Sequence, residues 1–140
     1  MTTAIDTNVL VALWDEVAQL RREARRAPDE VFAEGPLVIA GAVYAELLAA
    51  PGRDEEFIDQ FCAAAELRVE WEISERIWRE AGRAYQGYAL RLRKQNERGP
   101  RRVLADFLIG AHACVEGHRL LTLDDRLYRA AFPRLRVERA

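Results

Sequence analysis

Four acids spread across the 140-residue chain, Asp6, Glu46, Asp106 and Asp124, have surroundings that set them apart from ordinary surface carboxylates. Asp106 is enclosed in sequence by Leu104, Ala105, Phe107, Leu108 and Ile109, and Glu46 by Val43, Tyr44, Leu47 and Leu48. An acid in so apolar a helical stretch is seldom plain solvent-facing surface. Asp6 ends the first apolar stretch and runs into Thr7 and Asn8. If such carboxylates converge to about 5 Å, each pair repels by roughly 3 kcal/mol at an effective dielectric near 20. A site of that kind takes up protons or binds a cation. All-carboxylate ligation without His or Cys suits a hard ion, Mg²⁺ or Mn²⁺.

The elements that must deliver these acids are legible as alternating patterns. Ala4-Ile5 ends a short strand, and Val9 to Trp14 reads as a helical turn or two. Asp15 to Ala27 reads as an amphipathic helix, with Val17, Leu20 and Ala24 on one face and Arg21, Arg22, Arg25 and Arg26 between them. Leu37–Ala40 is a continuous apolar run, as expected of a buried parallel strand. A helix carrying Glu46 follows and ends before Pro51-Gly52, and another spans about Asp54 to Ala65. Leu67–Trp71 alternates as a third strand. Ser74 is a suitable N-cap for a long helix through Arg93. After a break at Gly99-Pro100, the helix bearing Asp106 runs to Gly117, a good C-terminal stop. Arg119–Leu123 is a fourth strand, Asp124 to Ala131 a short helix, and Leu135–Glu138 a fifth strand. Alternation without hairpin signals predicts one α/β domain over residues 1–140, with a mostly parallel five-stranded sheet between helical layers.

In such a sheet, ligands bind at the carboxyl ends of the strands. Asp6 ends the first strand and Asp124 follows the fourth. Glu46 lies in the second turn of the helix after strand two. Asp106 opens the helix that feeds strand four, which must begin at that same edge. Simpler readings exist for each acid. Asp6 and Asn8 can cap the next helix, and Glu46 can pair with an Arg. Asp106 suits a helix N-terminus. Thr122 to Asp125 resembles a capping box, so Asp124 or Asp125 can be only a cap. For all four to hold at one edge requires a coincidence.

A formal net charge of -2 means that bulk charge does not advertise nucleic acid, so any such binding must rest on local charge. The stretch Arg91–Arg102 supplies it: Arg91, Arg93, Lys94, Arg98, Arg101 and Arg102 stand against Glu97 alone. It is either a solvated loop or a phosphate clamp bordering the acids, with Arg98, Arg101 and Arg102 nearest to them. Arg21–Arg26 reads as a solvated helix face. Cys62 and Cys114 read as reduced, buried thiols. With no leader pattern before Asp6 and no apolar run near the roughly 20 residues of a bilayer span, a cytoplasmic protein with no membrane partner is expected. His112 and His118 do not read as ligands, because a Cys114-to-His118 spacing without partners is a weak zinc signal. Trp71, Trp78, Tyr85 and Tyr88 read as core or as a dimer seam.

Four blocks in order, "IDTNVLVAL", "YAELLAA", "ADFLIGAHA" and "LLTLDDRLYRAAFPRLRV", make the chain resemble the PIN-domain ribonucleases, and within them the VapC-like toxins of type II toxin–antitoxin pairs. The resemblance implies a three-layer α/β/α sandwich. It implies that Asp6, Glu46, Asp106 and Asp124 are catalytic and hold Mg²⁺ or Mn²⁺, with Asp125 as an understudy and Thr7, Asn8 and Thr122 in support. It also implies a homodimer, cleavage of tRNA or rRNA loops, and an antitoxin that reaches into the acidic groove. The position between Thr122 and Asp124, often basic in such toxins, is Leu123 here, which weakens any phosphate contact at that point. A haloacid-type phosphatase needs a second Asp where Asn8 stands. A receiver needs an acceptor Asp where Trp71-Glu72 stands, and a Lys near the last strand. The alternative of a different class is a catalytically silent PIN-like scaffold that binds RNA or a protein.

Overall fold

The computed structural model describes residues 1–14, 35–95 and 103–140. The basic helix expected over 15–27 and the loop with Arg98, Arg101 and Arg102 lie outside the described residues. Along the chain run β1 (Thr3–Ile5), α1 (Thr7–Trp14), β2 (Leu37–Ala40), α2 (Gly41–Leu48), α3 (Glu55–Ala64), β3 (Leu67–Glu70) and α4 (Glu75–Lys94). Then come α5 (Leu104–Glu116), β4 (Arg119–Thr122), α6 (Asp125–Ala131) and β5 (Val137–Arg139).

The five strands form one sheet in the order β3-β2-β1-β4-β5, and every pairing is parallel. Residues of β1, β2 and β4 are buried without alternation. Helices cover both faces, giving the expected three-layer α/β/α arrangement, which is why β2 reads as an unbroken apolar run. Local chemistry sets the helix ends. Asp54 and Ser74 side chains accept hydrogen bonds from the N–H groups of Phe57 (2.9 Å) and Ile77 (3.2 Å). Gly117 stops α5 in the left-handed region at φ 72°, where a side chain would be strained.

Phe107 anchors α5 against α4. Tyr85 stacks on it with centroids 4.6 Å apart, and Tyr88 lies tilted at 5.5 Å. These two tyrosines therefore belong to the packing between helices. Trp71 and Trp78 remain exposed.

Strand ends differ from expectation in β3, which stops at Glu70, and in β4 and β5, where a local bond gives the reason. β4 stops at Thr122 because the Leu123 N–H is taken by Asn8 Oδ1 at 3.1 Å. β5 begins at Val137, because the Leu135 N–H closes a turn onto the Phe132 carbonyl at 3.0 Å.

The chain builds outward from β1 through β2 to β3, then returns to lay β4 and β5 on the other side. The strand order therefore reverses between β1 and β4. A crevice opens at the carboxyl ends of strands at such a switch point.

Candidate functional site

β1 and β4 are in register as Thr3↔Arg119, Ala4↔Leu120 and Ile5↔Leu121. The Asp6 N–H continues that ladder onto the Leu121 carbonyl at 2.9 Å, so Asp6 arrives beside Thr122. The Thr122 hydroxyl donates to Asp6 Oδ2 at 2.8 Å, and the Thr7 N–H donates to Asp6 Oδ1, also at 2.8 Å. Thr122 Oγ in turn accepts from the Asp124 N–H at 3.0 Å and from Asn8 Nδ2 at 3.4 Å. Asn8 thus spans the crevice, with its amide nitrogen on Thr122 and its oxygen on the Leu123 N–H. Thr7 reaches the other way, its hydroxyl donating to Glu46 Oε1 at 2.7 Å. Thr7, Asn8 and Thr122 thereby tie β1, β4 and α2 together around the acids.

A cavity of about 290 Å³ opens among them. It is lined by Asp6, Thr7, Asn8, Glu46, Asp106 and Asp124, with Val11 and Tyr128 completing the wall. The structure therefore brings the four sequence-predicted acids to one place. Asp125 is not in that wall. Arg129, one turn on, donates to its Oδ2 at 3.1 Å, and this bond holds the Asp125 carboxyl below its ordinary value. Asp124 is the residue before α6, and its side chain makes no cap hydrogen bond.

Asp6 is only 5% exposed. Burial pushes its carboxyl up from 3.8 to about 6; the bonds from Thr122 and Thr7 oppose the shift without cancelling it, and the charge of Asp106 adds to it. The ionised form of Asp6 is thus under-compensated by the protein alone.

Tyr128 escaped the sequence reading. Its hydroxyl is buried at the floor of the cavity. Burial first, then the charges of Asp6, Asp106 and Glu46, push the phenol well above its usual value, so it stays protonated. An aromatic in a short amphipathic helix reads as core, and nothing local in the sequence marks it otherwise.

The donor set fits a cation. Four carboxylates with threonine and asparagine support offer only oxygen, the chemistry of a hard divalent ion. Burial, the largest cause of the raised Asp6 carboxyl, leaves its charge short of solvation, which a bound cation would supply.

A second convergence was not foreseen. His112 and His118 both direct Nε2 at Glu70 Oε1, at 2.9 and 2.7 Å, where the sequence spacing had offered no ligand pattern. Glu70 comes from β3, 42 and 48 residues away, so no local signal joins the three.

Comparison with solved structures gives the same architecture. A chain of VapBC-1 from nontypeable Haemophilus influenzae aligns with TM-score 0.65 at 22% identity, covering 99% of this chain and 98% of that one. A chain of VapBC2 from Rickettsia felis, solved bound to a DNA fragment from their promoter, gives 0.65 at 18% identity with the same coverage. A toxin–antitoxin complex from Klebsiella pneumoniae gives 0.65 at 22%, covering 95% and 94%. No curated protein matches at a comparable level. The sequence itself matches the family model of the PIN domain over residues 3–133. That span takes in all four acids and every strand that positions them, and on it the chain belongs to the PIN-domain family.

Proposed function

We propose that this chain is a divalent-metal-dependent endoribonuclease, the toxin of a toxin–antitoxin pair, hydrolysing phosphodiester bonds in tRNA or rRNA loops. The observation that carries the reading is the gathering of Asp6, Glu46, Asp106 and Asp124 around one cavity at the sheet's switch point. Membership of the PIN-domain family supports nuclease chemistry, and the likeness to toxin–antitoxin complexes supports a protein antitoxin as partner. No helix among the described residues is long and apolar enough to cross a membrane, in keeping with action on RNA in the cytoplasm.

In this reading the four acids hold Mg²⁺ or Mn²⁺. Bound there, such an ion supplies Lewis acidity, activating a water and neutralising charge that develops on the phosphate. The chain's own part is positioning. Thr122 and the Thr7 N–H fix both oxygens of Asp6, and the Thr7 hydroxyl fixes Glu46. Tyr128 keeps its proton and offers a donor at the cavity floor. Asp106 sits in the first turn of α5. Water attack at phosphorus leaves a 5′-phosphate and a 3′-hydroxyl. Substrate is gripped outside the acids, by Arg98, Arg101 and Arg102. A homodimer is part of the proposal, with exposed Trp78 and Leu90 on α4 available for it.

The test is to express the chain briefly without a partner and map new RNA 5′ ends. Discrete Mg²⁺-dependent cuts that vanish in Asp106→Asn, together with slowed growth that the variant relieves, are expected. Normal growth and intact RNA at verified protein levels would favour a silent binding scaffold instead.

A further inference from the structure

Among the described residues, Glu70, His112 and His118 form a group of metal-ligating side chains outside the carboxylate cavity. One donor atom from each lies within 4.8 Å of the other two. The group is built into the fold: the His112 side chain is 4% exposed and that of His118 10%. Glu70 closes β3, His112 sits on α5 and His118 leads into β4, so three elements are pinned at one point. A cavity of about 250 Å³ opens on the group, lined by Glu70, Trp71, Glu72, His112 and Glu116. Glu116 is one helical turn from His112, so a second carboxylate reaches the same cavity.

We propose that Glu70, His112 and His118 form a second, transition-metal site, of the class that takes Zn²⁺, distinct in place and chemistry from the hard-cation site. Two imidazoles and one carboxylate, with an open fourth position toward the cavity, make a donor set known for zinc. Bond lengths of about 2.0–2.1 Å in tetrahedral geometry put ligand atoms roughly 3.3 Å apart. The observed separations from Glu70 Oε1, 2.7 and 2.9 Å, fall about half an ångström short of that value. Opening the cluster by about half an ångström replaces two hydrogen bonds to one oxygen with three coordinate bonds.

Taking metal at Nε2 of His112 displaces the proton that this nitrogen gives to Glu70 Oε1. The proton then moves to the buried Nδ1, which has no hydrogen-bond partner. Arg68 engages the other Glu70 oxygen, Oε2, at 3.1 Å and is itself largely exposed, so it leaves Oε1 to the cluster. Nitrogen donors discriminate against Mg²⁺, which keeps the two sites chemically apart. The site's effect is to brace α5, the helix whose first turn carries Asp106. None of this depends on the nuclease reading.

The experiment uses the full chain carrying Asp6→Asn and Asp106→Asn, so that the acidic cavity does not compete for metal. The protein is stripped of metal and equilibrated with Zn²⁺. Bound zinc is then counted, and its X-ray absorption fine structure recorded. One zinc per chain with the outer-shell scattering of two imidazoles is expected. His118→Gln or Glu70→Gln should weaken binding at least about tenfold. Failure to bind zinc, an oxygen-only or sulfur-containing shell, or affinity unchanged by both substitutions in folded protein would overturn the proposal. Should either substitution unfold the chain, the absorption spectrum of the parent double variant still decides.

Discussion

The Thr122 hydroxyl donates to Asp6 Oδ2 at 2.8 Å, joining residues 116 positions apart in the chain. The bond follows from strand register. With Ile5 opposite Leu121, Asp6 leaves β1 beside Thr122, the last residue of β4, at the point where strand order reverses. The acid that ends β1 is therefore buried and oriented by the residue that ends β4. The topology that creates the crevice also holds its most buried carboxylate.

That burial has a pH signature. With its folded value near 6 against 3.8 unfolded, Asp6 binds more protons in the native state between those values. Metal-free stability from this group is fully present below about pH 4 and is lost as pH rises through 6. The shift corresponds to about 3 kcal/mol. Asp6→Asn removes this titration, while weakening the bond from Thr122 costs it about 1 kcal/mol. Without divalent metal the variant should melt a few degrees above the parent at pH 7.5, and the gap should close near pH 4. Mg²⁺ should raise the melting temperature of the parent only. Cleavage of RNA should fall at least about 100-fold, since even the partners of metal ligands are worth 10–100-fold. A parent more stable than the variant at every pH would contradict the burial argument.

Thr7 tests positioning apart from charge. Its hydroxyl holds Glu46 Oε1 at 2.7 Å, and Val nearly conserves its shape. Thr7→Val should cost about 1 kcal/mol of stability. The Mg²⁺ concentration for half-maximal cleavage should rise about 10–100-fold, with much of the rate recovered at saturating metal. A Mg²⁺ titration superimposable on the parent's would remove Thr7 from the site.

Much of this was legible in the sequence, for identifiable reasons. β2 showed because a strand buried on both faces is a continuous apolar run, and the helix start at Ser74 and stop at Gly117 showed because capping chemistry is local. The four acids could be sent to one edge because parallel topology alone fixes which ends of strands and helices meet. What the sequence hid is non-local. Arg119 reads as an ordinary polar start to β4. In the fold it is 3% exposed, bonded to Thr3 Oγ at 3.1 Å and paired with Glu138 at 3.2 Å. Tyr128 and the meeting of both histidines at Glu70 depend likewise on partners that no periodicity announces.

Two helical glycines should respond oppositely to alanine. On α5, a Cβ at Gly110 would lie 2.3 Å from a ring carbon of Phe132, which is 1% exposed and has no room to retreat. Gly110→Ala should destabilise by about 1–3 kcal/mol through overpacking, despite the better helix former. On α4, a Cβ at Gly82 meets nothing within 4 Å, so Gly82→Ala should stabilise by about 0.5–1 kcal/mol. Thermal or urea unfolding of both variants reads the signs directly. A neutral Gly110→Ala would mean that α5 and the segment after α6 are less tightly packed than the structure has them.

The basic stretch before α5 yields a quantitative test of substrate grip. Arg102 is four residues before Asp106 in the sequence, so the basic stretch adjoins one of the acids along the chain. Each phosphate contact on a single strand steepens the fall of log K with log salt by about 0.7. Replacing Arg98, Arg101 and Arg102 together by Ala should therefore flatten that slope by about 2. Asp106→Asn is the background of choice, because it permits binding of a labelled RNA hairpin without cutting it. Fluorescence anisotropy between about 50 and 200 mM salt spans the range over which phosphate contacts dominate. If the triple variant binds with a slope parallel to its parent, the phosphates are held by other arginines and the stretch is only a solvated connection.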